Sequence, residues 1–190
     1  MSVHEERLRA LALQSPWLME GLRAARSLGL SSWCIGAGAV RNLVWDSLHG
    51  RSGRPELADV DLVYFDAHSM QAGSEQALQQ RLQAVCPELP WEVCNQARVH
   101  LWFEAHFGHA VAPLQSLEES VACWPEYATA VGLWLDERDE IQVIAPHGLD
   151  DLFGCVVRRN PQRVSSETYR QRLAQKRYAE RWPQVRVHPA

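Results

Sequence analysis

The segment Cys34-Ile35-Gly36-Ala37-Gly38-Ala39-Val40-Arg41-Asn42, with Asp59-Val60-Asp61-Leu62-Val63-Tyr64 downstream of it, constrains this chain more than any other feature. A short apolar run breaks at glycines. Helical spacing then takes over at Val40, Leu43, Val44 and Leu48, and a second apolar run opens on two aspartates one residue apart. Strand, tight turn, helix, strand is the economical reading of that order. Glycines at the turn would let backbone N–H groups approach a phosphate at the helix N-terminus, where the helix dipole favours anions. Because side chains alternate across a strand, Asp59 and Asp61 project from one face while Val60, Leu62 and Tyr64 line the other. Adjacent carboxylates repel, and a divalent cation is the natural way to keep both ionised. Mg2+ or Mn2+ held there would neutralise charge on a reacting phosphoryl group. The arrangement points to nucleotidyl transfer from a nucleoside triphosphate (NTP).

The residues around this unit extend the candidate site. A dinucleotide-binding fingerprint would need a third glycine where Arg41 stands, which removes the Rossmann turn. Arg41, in the first helical turn, suits a triphosphate instead, and its loss is expected to weaken nucleotide binding while preserving the fold. Asn42 beside it either joins the substrate contacts or hydrogen-bonds the neighbouring loop. A two-metal site usually needs a third carboxylate on an adjacent strand. Glu92, within Trp91-Glu92-Val93-Cys94-Asn95, is the only acidic residue in that run, and the alternative for it is an ordinary outward-facing glutamate. If Glu92 faces the site, strand alternation turns Asn95 away, so Asn95 and Arg98 would have to reach the nucleotide from the following loop or helix. The candidate catalytic and metal-binding set is therefore Asp59, Asp61 and Glu92. The candidate substrate contacts are Gly36, Gly38, Arg41, Asn42, Asn95 and Arg98. No His-Glu-x-x-His zinc helix is present among the eight histidines.

These residues also carry a resemblance. The segment is similar to the signature of the DNA polymerase β-type nucleotidyltransferase superfamily, and most of all to the head-domain pattern of tRNA nucleotidyltransferases and poly(A) polymerases, Gly-Gly-x-Val-Arg-Asp followed by Asp-x-Asp. Here the paired glycines are spread to Gly36 and Gly38, and Asn42 replaces the aspartate. Further blocks, Asn95-Gln96-Ala97-Arg98, Ala128-Thr129-Ala130-Val131-Gly132 and Pro146-His147-Gly148-Leu149-Asp150-Asp151-Leu152, resemble a bacterial family of nucleotidyltransferases over residues 15 to 160. The resemblance implies a polymerase-β-type core and transfer of a nucleoside monophosphate with release of pyrophosphate. It supplies no acceptor, which could be a small molecule, a protein side chain or an RNA end. A catalytically silent nucleotide-binding or protein-interaction module with the same fold is the main alternative. A metal-dependent phosphohydrolase using the same aspartates is a third.

Length and composition narrow the field. A 190-residue chain suits one domain able to bury roughly 70% of its unfolded surface. Five cysteines without a Cys-x-x-Cys pair indicate neither a disulfide framework nor a zinc ribbon, and fit a reducing cytoplasm. No apolar run approaches a membrane span. The net charge of −4 disfavours a long nucleic acid partner, although arginines crowd the C-terminus, where a solvated helical face is the expected outcome. Periodicity and turn residues predict helices over 16–28, 39–48, 74–85 and 165–181. They also predict strands at 32–35, from 59, and at 91–94, and a hairpin over 128–144. The expected fold is α/β (α+β), a small mixed β-sheet flanked by helices, with a core over residues 15–160 and a C-terminal helical extension over 161–190.

Overall fold

A computed structural model describes residues 2–69, 71 and 73–190. Five strands form the central sheet: β1 (Trp33–Gly36), β2 (Val60–Tyr64), β3 (Trp91–Asn95), β4 (Gly132–Leu135) and β5 (Ile141–Ile144), in the order β3-β2-β1-β4-β5. Within this sheet the β2–β3 pair is parallel and the others antiparallel, so the sheet is mixed, as the alternation of strands and helices predicts. Helix α1 spans Val3–Leu13, α2 Pro16–Arg26, α3 Gly38–Leu48 and α4 Ser74–Val85. The parallel pair exists because α4 carries the chain from the end of β2 back to the start of β3.

The two faces of the sheet carry different loads. On one, Ile35, Val60, Leu62, Tyr64, Trp91, Val93 and Leu133 join the main core with α1, α2 and α3. On the other, Cys34, Val63 and Ile144 form a small cluster with Leu117 and Val121 of α6 (Leu117–Ala122). The second cluster covers only part of its face, and Asp61, on the same side as Val63, lies beyond it. The run Ser116-Leu117-Glu118-Glu119 has the spacing of a capping box, and Ser116 caps α6 through the Glu119 amide at 3.0 Å.

Some elements depart from expectation. Helix α1 is not signalled by a strong apolar stripe, since only Leu8 and Ala12 in it are buried. The first half of the anticipated hairpin, Tyr127–Thr129, is a 3-10 turn, and β4 begins only at Gly132. The long C-terminal helix is broken: Arg177 adopts the left-handed region (φ 49°), ending α8 (Ser166–Lys176) before the short α9 (Tyr178–Arg181). Behind these, Tyr169, Tyr178 and Trp182 are buried in the same core as Trp45 of α3. Residues 161–190 thus contribute Val164, Tyr169, Tyr178, Trp182 and Val185 to the main hydrophobic core. Among the described residues no helix is long and apolar enough to cross a membrane.

Candidate active site

The β1–α3 turn sets one edge of the site. Its left-handed residue is Ala37 (φ 50°, ψ −118°), not either glycine. Gly36 is required for another reason: a Cβ there would approach the Trp124 ring to 2.5 Å. Gly36 therefore serves packing against Trp124 and does not line the cavity beside it. Gly38 does line it. A Cβ on Gly38 would meet the Arg41 guanidinium at 3.7 Å and the Asp59 carboxylate at 4.0 Å, which brings three candidate residues to one point. Helix α3 starts there without a side-chain cap, leaving its first N–H groups directed to that point.

The carboxylates come from the parallel strand pair. Asp59 leads into β2 and Asp61 lies within it, on the face opposite Val60, Leu62 and Tyr64. In the β2–β3 register Asp61 stands directly opposite Glu92, and paired residues of parallel strands share a face. Glu92 is exposed at the cavity rim. Burial, then Asp59, then Glu92 push the Asp61 carboxyl up to about 7, against the opposing fields of Lys176 and Arg172. Among the described residues no three His, Cys, Asp or Glu side chains close into a preformed metal cluster. The donor set nonetheless fits a hard divalent cation: Asp59, Asp61 and Glu92 offer oxygen alone, and their mutual repulsion is what such an ion would relieve. Cys94, one step along the same face, is no competing ligand, because burial and the nearby Glu75, Glu92 and Asp61 hold its thiol at about 12.

The remaining candidates fall elsewhere. Asn95 is fully buried on the opposite face of β3, where its Oδ1 accepts from the Asp66 amide at 3.0 Å and its Nδ2 donates to the Asp66 carbonyl at 2.8 Å. Arg98 pairs with Glu75 of α4 at 2.8 Å. Neither lines the cavity: strand alternation turns Asn95 away, and Arg98 is turned to Glu75 while Gln96 and Val99 on either side of it face the cavity. Asn42 reaches the loop before β2, donating from Nδ2 to the Glu56 carbonyl at 3.0 Å, while its Oδ1 accepts from Arg41 at 2.8 and 3.1 Å. It holds the segment that delivers Asp59.

Arg41 borders the cavity but is itself buried. Its guanidinium lies 5.0–5.7 Å from the ring centres of Tyr178, Trp182 and Trp45, and Nη1 donates to the Tyr178 hydroxyl at 3.3 Å. Burial pulls its pKa below the ordinary arginine value, and Tyr178 and Glu126 work against that shift. Glu126, fully buried, accepts a bidentate pair from Arg172 at 2.7 and 3.1 Å. Burial favours the neutral acid, but Arg172 outweighs it and holds Glu126 below the usual carboxylate range. An Arg41–Tyr178–Glu126–Arg172 chain thereby ties the glycine turn to the C-terminal helices.

The cavity encloses about 870 Å3 over the carboxylates. One wall is aromatic, from Trp102, Phe103 and Phe107 of α5 (Val99–Phe107). The facing wall is a polar stripe of α8: Thr168, Gln171, Arg172, Gln175 and Lys176. Sequence reasoning missed this stripe, assigning the basic C-terminal run to solvent. The available signal was polar residues recurring at helical spacing beside the apolar stripe of Tyr169 and Leu173.

A mixed sheet with an uncapped helix at a glycine turn and carboxylates on adjacent strands defines the class of nucleotidyl-transferring head domains, and comparisons with known proteins agree. The chain superposes over 97% of its length on 96% of a solved structure described as revealing a CCA-adding enzyme head domain, with a TM-score of 0.82 and 29% identity. It shares its fold with a tRNA-processing enzyme (TM-score 0.53, 22% identity, 88% of this chain and 43% of that one). The same holds for a tRNA nucleotidyltransferase complexed with a primer tRNA and an incoming ATP analogue (TM-score 0.51, 20% identity, 89% of this chain and 46% of that one). The chain spans less than half the length of those two enzymes. A search of curated proteins returns no match. A nucleotidyltransferase family model matches residues 23–187, and the chain belongs to that family.

Proposed function

We propose that this nucleotidyltransferase moves a nucleoside monophosphate from an NTP to an acceptor hydroxyl in a metal-dependent reaction that releases pyrophosphate. The observation that carries the reading is the register of Asp61 against Glu92, beside Asp59, on the floor of a cavity whose edge is the uncapped start of α3. Asp59 and Asp61, completed by Glu92, would hold Mg2+ or Mn2+. Such an ion supplies charge neutralisation on the phosphates and orients the α-phosphorus. The chain's own groups do the rest. The α3 amides and Arg41 bind the triphosphate at Gly38, Asn42 keeps Asp59 in place, and the exposed Glu92 accepts the acceptor's hydroxyl proton. The aromatic wall of α5 excludes water and offers a surface for a planar group of donor or acceptor. Five free cysteines favour a cytoplasmic setting.

The test is Mg2+-dependent pyrophosphate release from each NTP against a panel of metabolite, peptide and RNA-end acceptors, with product detection by mass. Asp61→Asn should be inactive in the same assay. Nucleotide binding without turnover across the panel would instead support a silent module, and inorganic phosphate from monoesters a phosphohydrolase.

A further inference from the structure

Lys176 is the only lysine in the chain; the other 18 basic residues are arginines. It sits in the last turn of α8 and lines the cavity. The arginines that share this lining each already have a protein partner. Arg41 is held by Asn42 and Tyr178, Arg172 by Glu126, and Arg163 donates to the Ala112 carbonyl at 2.6 Å while lying over Phe103. Lys176 makes no ion pair among the described residues, and its side chain is exposed. Its backbone is well fixed nonetheless. One turn earlier Arg172 is clamped to buried Glu126, and at the very next residue the left-handed Arg177 turns the chain so that Tyr178 enters the core. The result is a free ammonium on an anchored helix end, on the same helical face as Arg172 and within the electrostatic reach of Asp61.

We propose that Lys176 binds the β,γ-phosphates of the NTP and retains the pyrophosphate as it departs; the assignment rests on the nucleotidyl-transfer reading above. A carboxylate floor with a divalent ion addresses one side of a triphosphate, and a cation on the facing wall is needed for the other. A lysine suits that task better than a fork-shaped arginine, being a compact point charge with three rotatable donors on a flexible stem. In the transfer step the acceptor hydroxyl gives its proton to Glu92 as its oxygen bonds to the α-phosphorus, the bond from that phosphorus to the bridging oxygen breaks, and the electron pair leaves on pyrophosphate. Lys176 offsets the charge that develops there.

Uniqueness makes the test direct. An amine-selective acylating reagent labels Lys176 and the N-terminal amine alone, and peptide mass analysis separates the two. Inorganic tripolyphosphate with Mg2+, and ATP with Mg2+, should protect Lys176, whereas adenosine should not. By calorimetry, Lys176→Gln should weaken tripolyphosphate binding about tenfold, the lower end of a charge-assisted contact. Lys176→Arg should recover much of the loss. Arg138→Gln, an equal charge change on the exposed β4–β5 hairpin, should alter affinity less than about twofold. Equal labelling with and without tripolyphosphate, or wild-type affinity in Lys176→Gln, would overturn the assignment while leaving nucleotidyl transfer intact. A wild-type protein that binds neither ATP nor tripolyphosphate would overturn both.

Discussion

Arg41→Ala separates a purely substrate-binding arginine from one that also holds the fold together. In the structure Arg41 is buried, donates three hydrogen bonds to Asn42 and Tyr178, and lies against three aromatic rings. Removing it forfeits charge-assisted hydrogen bonds, a desolvated cation–π contact of about 2 kcal/mol, and part of the packing around Trp45 and Trp182. It also leaves the Asn42 Oδ1 without its two Arg41 donors, while the Asn42 bond to the Glu56 carbonyl on the loop that leads to Asp59 stays in place. Against these losses stands relief of the cost of burying a guanidinium, the same cost that pulls its pKa down. The balance is a destabilisation of about 2–4 kcal/mol, equivalent to a fall in Tm of roughly 4–16 °C for a chain of this length. Thermal and urea unfolding of the wild type, Arg41→Ala and Arg41→Met, without nucleotide, measure it directly. Methionine should recover part of the packing and none of the hydrogen bonding. A melting temperature for Arg41→Ala within about 1 °C of wild type would refute the argument and return Arg41 to substrate binding alone.

Three further outcomes are expected. Ala37→Gly relieves a backbone conformation that costs an alanine about 1–3 kcal/mol, less the greater freedom of glycine in the unfolded chain, so the protein should gain about 1 kcal/mol in urea unfolding; a loss would show that the turn is unstrained. Asp61→Asn should abolish turnover and stabilise the metal-free protein above neutral pH. The folded carboxyl titrates near 7 and the unfolded one near 3.8, so the folded state binds more protons between these values and stability falls as pH rises through that window. After discounting for solvent screening the gain in the variant is about 1–2 kcal/mol, read as a flattened pH profile of Tm; an unchanged slope would remove Asp61 as its source. Glu92→Gln should leave ATP binding largely intact and slow turnover by about 10²–10³-fold, and full activity in it would exclude Glu92 from the chemistry.

Periods that a few residues define were legible without a structure. The glycine-broken strand and its helix, the parity that puts Asp59 and Asp61 opposite Val60, Leu62 and Tyr64, and the capping box at Ser116 all depend on neighbours in the chain. The sequence also signalled that Asn95 would oppose Glu92 in facing, because alternation is local. Tertiary structure alone decided which strand lies beside β2 and in what register, and so that Asp61 meets Glu92. It alone surrounded Arg41 with Tyr178 and Trp182, and it made the solvated polar stripe of α8 part of the cavity over the carboxylates. A helix period states that a polar face exists but not what stands opposite it. That is set by the burial of Tyr169, Tyr178 and Trp182 against α3, contacts between residues more than a hundred positions apart whose pairing leaves no periodic trace in the chain.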